Sequence, residues 1–328
     1  PDNFTLILVA TVVAASTVPC RGTAAGGFNV VTNIAIGLLF FMHGAKLSRE
    51  AVVAGFTHWR LHLLIFACTF AMFPVLGVAL RPVLEPLVTP ELYVGLLFLC
   101  ALPATVQSGI AFTSMGRGNV PAAVCSASAS SLIGVFLTPA LVGLLLSHHG
   151  SAASLDAIRS IVLQLLVPFI AGQIARRWIG EWVEARKASL GVIDRSSILL
   201  VVYTAFSEAT IQGLWHQIPP RALIGLVVAC MVLLALALTI TTILARRLGF
   251  SKQDEITIVF CGSKKSLASG IPMARVLFES SAVGAVVLPL MLFHQLQLMV
   301  CAVLAQRYAT QAARADAARI EASAQTHP

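Results

Sequence analysis

Apolar runs long enough to cross a lipid bilayer recur from one end of this chain to the other, with only short polar joints between them. A helix needs about 20 apolar residues to span the hydrocarbon layer, whereas barrel strands are about half as long. Runs of this length therefore read as helices, which satisfy every backbone hydrogen bond within one segment. Spans are read at 4–18, 29–46, 61–80, 92–115, 120–147, 158–178, 196–214, 222–245, 254–278 and 282–306, ten in all. Only 11% of the residues are charged, against about a quarter in a soluble domain. The first span follows almost at once on Pro1, so no cleavable signal segment is expected before it. Six of the seven cysteines (all but Cys20) lie in apolar runs without ligand or pairing spacing, and read as small core residues.

The net charge of +8 is explained by where the basic residues fall. With the N-terminus cytoplasmic, fifteen lie on the inner side: Lys46, Arg49, Arg60, Arg117, Arg176, Arg177, Arg186, Lys187, Arg195, Arg246, Arg247, Lys252, Arg307, Arg314 and Arg319. Arg21, Arg81, Arg159 and Arg221 lie on the outer side, and Lys264, Lys265 and Arg275 remain inside spans. Fifteen against four places both termini in the cytoplasm of a multi-pass cell-membrane protein, in a bacterium the inner membrane. The basic balance then calls for the lipid bilayer and no nucleic acid. The tail from Thr310 has little apolar content and is expected to fray.

The ten spans divide into two sets of five. The fourth holds "LPATVQSGIAFTSM" and the ninth "CGSKKSLASGIPMA", each with Ser-Gly-Ile and a proline, Pro103 and Pro272. An odd number of spans per repeat turns the second half upside down, and helices interrupted at matching positions of inverted repeats point to a transporter's binding site. Proline removes a donor and glycine weakens the helix. Both spans are therefore predicted to break and cross, near Thr105–Ser108 and Ser263–Ser266.

The stretch "ALPATVQSGIAFTSMGRGNVPAAVCSASASSLIGVFLTPALVGLLL", with "IGLLFFMHGAKLS" and "FAMFPVLG" before it, resembles the bile acid:sodium symporter family. "CGSKKSLASGIPMA" is similar to the divergent branch that holds bacterial homologues and solute carrier family 10 member 7. The resemblance implies an all-α membrane fold of ten helices in two inverted repeats. It implies panel helices over 1–57 and 155–221, core helices over 58–154 and 222–308, a cytoplasmic tail over 309–328, and crossing broken fourth and ninth helices. It also implies two sodium ions beside the crossing and a small organic anion carried between panel and core.

Transferred residue by residue, the sodium site is degenerate. The family serine matches Ser108, but the asparagine after it is Gly109; two hydroxyl ligands fall at Ala123 and Ala127, a glutamine at Thr69, and the acid at Phe260. Ser126, Ser128, Ser130 or Ser131 would recover a ligand under a shifted register, with Gln107 beside them. The family's glutamine and asparagine become Lys264 and Lys265. Charges at this depth are paired or line a wet cavity. Partners are expected among carbonyls of the broken fourth span, hydroxyls of Ser108, Ser126 or Ser263, Glu208, or a bound anion. At least one ammonium is read as a built-in substitute for sodium, the other as facing the substrate, and a buried lysine as a candidate carrier of a coupling proton. No high-affinity metal site and no cofactor are expected.

The candidate binding set is Thr69, Thr105, Gln107, Ser108, Ser126, Ser128, Ser130, Ser263, Lys264, Lys265, Ser266, His294 and Gln295, with His43 and Glu208 behind them. Gln297 reads as an interhelical hydrogen bond, and Asn119 as the cap of the fifth helix. No Walker A, HExxH or paired CxxC motif occurs, which argues against an enzyme. Two functions stay open: a secondary transporter of an organic anion, coupled to sodium, to protons or to neither, and a transport-incompetent regulatory protein of the same fold that acts on ion homeostasis through partners.

Overall fold

The computed structural model describes residues 3–46, 58–146 and 162–326, and every regular element among them is helical. The long helices are α1 (Asn3–Thr17), α2 (Thr23–Lys46), α3 (Trp59–Ala79), α4 (Pro90–Ala101), α5 (Val106–Met115), α6 (Val120–Leu146), α7 (Val167–Ala185), α8 (Lys187–Ile211), α9 (Pro220–Arg247), α10 (Lys252–Gly262), α11 (Leu267–Leu277) and α12 (Ser280–Thr326). Arg49, Arg159, the predicted span ends at 147 and 158 and the segment boundaries at 57 and 154–155 lie outside the described residues.

Large apolar side chains face outward. Ile34, Val75, Leu144 and Ile224 are each more than 60% exposed, an arrangement suited to lipid and costly in water. By length and hydropathy six helices among the described residues qualify to cross a membrane, and α4 with α5, bent by 64°, makes a seventh. The protein is thus a multi-pass membrane protein. Helices α1 and α7 and the pair α10–α11 fall on three further predicted spans without passing that test. Arg176, Arg177, Glu181 and Glu184 dilute α7, and Asp254 and Glu255 dilute α10.

Helix α2 runs along α7, α1 along α8, and α8 also meets α2 and α12. The α2–α7 contact rests on two glycines. A Cβ at Gly44 would stand 2.1 Å from the Phe169 carbonyl oxygen, and one at Gly172 1.9 Å from that of Phe41. In lipid, where apolar burial does not drive association, such close backbone approach supplies the dispersion contact that joins helices.

Asn119 caps α6 as expected: its Oδ1 accepts from the Ala122 N–H at 3.1 Å. Its Nδ2 also donates to Asp254 at 2.9 Å, which ties the start of α6 to the start of α10. Residues 310–326 continue α12 and do not fray out of helix. The reason is the run of alanines, the best helix former, in "QAARADAARIEASA".

Candidate functional site

The two breaks meet. Helices α10 and α11 are separated by Ser263–Ser266, where sequence reasoning puts the break. Helices α4 and α5 are separated by residues 102–105, three residues before the predicted position. Proline disfavours the helical conformation in the residue before it, so α4 stops ahead of Pro103. Val106, Gln107 and Ser108 are the first turn of α5.

A break strands backbone groups, and this one can be followed group by group. The Ala101 carbonyl accepts from the Thr138 hydroxyl at 2.9 Å, and the Ala104 N–H donates to Ser130 Oγ at 3.0 Å. The Pro103 carbonyl accepts from the Ser266 N–H at 2.9 Å. The Cys100 and Leu102 carbonyls accept from Lys265 Nζ, each at 2.8 Å. A third carbonyl, that of Thr69 in α3, accepts from the same ammonium at 2.7 Å.

The Thr69 carbonyl is available because of local sequence. Residues Cys68–Met72 form a π turn in which the Phe73 N–H bonds the Cys68 carbonyl. The next donor along the helix would be residue 74, a proline, which has no N–H. The π turn and Pro74 together leave Thr69 without a helical partner, and Lys265 supplies one.

Lys265 is fully buried, and its ammonium also stands 4.2 Å from the centroid of the Phe73 ring. Its own peptide is held from both sides. The N–H donates to Gln297 Oε1 at 3.0 Å, and the carbonyl accepts from Gln297 Nε2 at 3.0 Å and from Thr105 Oγ1 at 2.8 Å. Lys264, also fully buried, donates to the Ser108 carbonyl at 3.0 Å and lies 3.8 Å from the Phe112 ring centroid and 5.9 Å from that of Phe260. Aromatic faces and carbonyl dipoles attend these cations in place of a carboxylate.

A cavity of about 520 Å³ lies beside the crossing. The broken helices, α6 and α12 bring polar groups to it, among them Thr105, Gln107, Ser108, Ser128, Ser266 and His294, between apolar residues such as Leu132, Val135 and Leu298. The facing wall carries Phe4, Phe40, Phe169, His43, Asp194 and Arg195. The N-termini of α5 and α11 both border it. At α11, Ser266 Oγ accepts from the Ser269 N–H. At α5 no side chain caps the helix, since the Thr105 hydroxyl is turned to Lys265. Ser108 Oγ is buried without a hydrogen-bond partner.

At the other end, Arg275 joins α11 to α8 and α2. It donates to Glu208 at 3.3 Å, to Asn29 Oδ1 at 2.8 Å, and to Ser280 Oγ. Asn29 and His43 are 14 residues apart on α2, or about 21 Å at 1.5 Å per residue. The ion pair thus sits well along the helices from the His43 end of the cavity.

Several expectations need correction. Neither lysine borders the cavity, because carbonyls of α3, α4 and α5 draw both ammoniums inward. Glu208 pairs with Arg275 and not with a lysine. Ser126 bonds His62 Nδ1 at 2.7 Å and Ser130 accepts from the Ala104 amide, and neither borders the cavity. Ser263 Oγ returns to the Val259 carbonyl, and Thr69 contributes its carbonyl, its hydroxyl being turned to Ile65. Gln295 does not border the cavity, and Gln297 is the residue that reaches the crossing. Thr105, Gln107, Ser108, Ser128, Ser266, His294 and His43 do border it. Ser131, offered from sequence as an alternative hydroxyl, also borders the cavity, whereas sequence reasoning misses Asp194, Ser269 and His62 as members of the site or its surroundings. Asp194 stands beside Arg195 in what reads, from sequence, as an ordinary inner joint.

A helical membrane protein with two broken helices meeting beside a largely apolar cavity that also holds convergent polar groups is built as a membrane transporter. The model of the SBF-like CPA transporter family matches residues 2–310, and the chain belongs to that family. Similar proteins include "Uncharacterized protein PA2026" of Pseudomonas aeruginosa, 72% identical over 98% of this chain and 97% of its own. "Putative symporter YfeH" of Escherichia coli is 58% identical over 94% and 93%. "Sodium/bile acid cotransporter 7" of Rattus norvegicus is 29% identical over 92% and 90%. The motif resemblance is thereby borne out, including the divergent branch, and the chain is a transporter-family protein, not an enzyme.

Proposed function

We propose that this protein carries a small organic anion across the membrane by alternating access. The observation that carries the reading is the N-terminus of α5. Its uncapped amides and the unpartnered Ser108 hydroxyl border the cavity, and helix N-termini favour anions. Arg195 and His43 on the facing wall add donors, and the aromatic residues there suit an organic body. The proposed architecture is ten spans in two inverted repeats with both termini cytoplasmic. Helices α1, α2, α7 and α8 form the panel and the others the core. The cavity then opens inward, and the Arg275–Glu208–Asn29 cluster bridges panel and core on the outer side.

The name of the rat relative joins sodium to bile acid. In this chain the composition of the site argues against the sodium half. A sodium ion 4 Å from an ammonium meets a repulsion of about 4 kcal/mol at an effective dielectric near 20, and the loss of the family acid at Phe260 removes a comparable attraction. The Lys265 ammonium instead holds the carbonyls together, as a metal ion would. We therefore expect uptake into proteoliposomes, and thermal stability, to be unchanged when sodium is replaced by choline at constant pH. A strong, saturable sodium requirement would sink this reading.

The regulatory alternative shares the lysine-held crossing but gives no role to a hydroxyl left unbonded at the cavity wall. Ser108→Ala separates the two. Its Oγ is buried and makes no bond within the protein, so its removal should leave stability unchanged or raise it. Anion flux should fall severalfold, and unchanged flux would remove Ser108 from the site.

A further inference from the structure

We propose that His294 is a proton-binding site of the transport cycle, and that Gln297 is the positioning residue linking its protonation to the crossing. This rests on the transporter reading above and adds to it the group that takes up a proton.

Gln297 carries an amide whose orientation is forced. The residue is fully buried and faces both polar atoms of the Lys265 peptide. A backbone N–H can only donate and a backbone carbonyl can only accept. Oε1 must therefore face the N–H, and Nε2 the carbonyl, as observed at 3.0 Å each. Nε2 also stands 2.9 Å from His294 Nδ1. The amide nitrogen is a donor without a lone pair to offer, so Nδ1 must accept, and a neutral His294 carries its proton on Nε2.

An imidazolium has N–H on both nitrogens. Protonating His294 in place would set one N–H against the amide NH₂. Turning the amide over would satisfy the ring but oppose donor to donor and acceptor to acceptor at Lys265. The charged ring and the doubly held Lys265 peptide cannot coexist in this arrangement. Either the ring leaves Gln297, or the clamp on the crossing opens.

The site is reachable, since His294 is half-buried on the cavity wall while Gln297 lies behind it. The charged groups around it are Lys264 and Lys265 beyond the amide, and Asp194, Arg195 and His43 across the cavity. Glu208 and Arg275, on the helices packed against α12, are joined to each other. Asp194 is the acid on that cavity toward which an imidazolium would turn.

The test uses full-length protein labelled with ¹⁵N-histidine, the His294 signal being assigned by its loss in His294→Gln. At neutral pH its Nδ1 is expected to be unprotonated and its Nε2 protonated. Gln297→Leu, which removes the amide donor, should let both tautomers populate. Thermal stability is followed from pH 7.5 to 5.5 in sodium-free buffer. His294→Gln keeps a neutral acceptor but cannot titrate, so its pH slope should differ from that of the unmodified protein by up to one bound proton. A proton on Nδ1 at neutral pH, or an unchanged slope in His294→Gln, overturns the assignment. Failure of the transporter reading looks different: tautomer and slope as expected, but no anion flux from proteoliposomes under any pH gradient. That result removes the role in a cycle.

Discussion

Replacing Lys265 by alanine is expected to deplete the membrane of folded protein, and to lower the melting temperature of what remains further than Lys264→Ala or either glycine substitution at the α2–α7 contact. The ammonium holds carbonyls at residues 69, 100 and 102, on α3, on the last turn of α4 and in the break after it. Truncation leaves all three buried and unbonded. Each stranded group costs about 1–3 kcal/mol, so the total rivals the net stability of many proteins, about 5–15 kcal/mol. Lys265→Gln should be milder, since an amide still donates twice. Lys264→Ala should also be milder, since that ammonium donates to one carbonyl and otherwise rests on aromatic faces. The measurement is detergent-solubilised yield and melting for the three lysine variants. Equal melting of Lys265→Ala and the unmodified protein would mean that the carbonyls find other partners.

The second large effect is expected at the α2–α7 contact. Gly172→Ala puts a methyl group 1.9 Å from the Phe41 carbonyl oxygen, where real Cβ atoms essentially never come closer than 3.0 Å. Backbone must move, not a side-chain tip. Overpacking typically costs about 1–3 kcal/mol, and the upper end is expected at this position. Gly44→Ala meets the mirror-image clash with Phe169. One separation of the helices relieves both, so the double variant should cost clearly less than the sum of the singles. Additive losses in melting temperature would show that the glycines act separately.

Much of this molecule can be read from its sequence, because lipid leaves a chain few options. The apolar runs give the helices, and the Gly/Ser/Pro residues around Ser263–Ser266 give one break to the residue. The other break is harder to place, because Thr105–Ser108 look like loop residues, whereas Pro103 ends the helix ahead of itself and frees them to begin the next. The lysines stand out in sequence, and carbonyls of the broken fourth span are foreseen as partners, but not which carbonyls nor the one on α3. Backbone carbonyls carry no sequence signal, and the one at Thr69 is freed only by a π turn beside Pro74. Gln297 and Gln295 differ by about half a turn, so which of them reaches the crossing depends on the rotation of α12. Glu208 and Arg275 lie 67 residues apart and meet only through packing.

A cation fixed to the chain at Lys265 has a consequence for energetics. Sodium that binds with an anion and leaves with it brings its own gradient and cancels the anion's charge. A tethered ammonium does neither, because it never leaves the protein. An anion travelling alone therefore feels the full membrane voltage, about 2.3 kcal/mol per elementary charge at 100 mV. With a negative interior that voltage drives a monovalent anion outward. Inward accumulation then requires a compensating positive charge that does cross, and one proton per turnover balances one negative charge. Current recordings from oriented proteoliposomes should therefore show outward anion movement favoured by an inside-negative potential. That preference should vanish wherever a proton travels along.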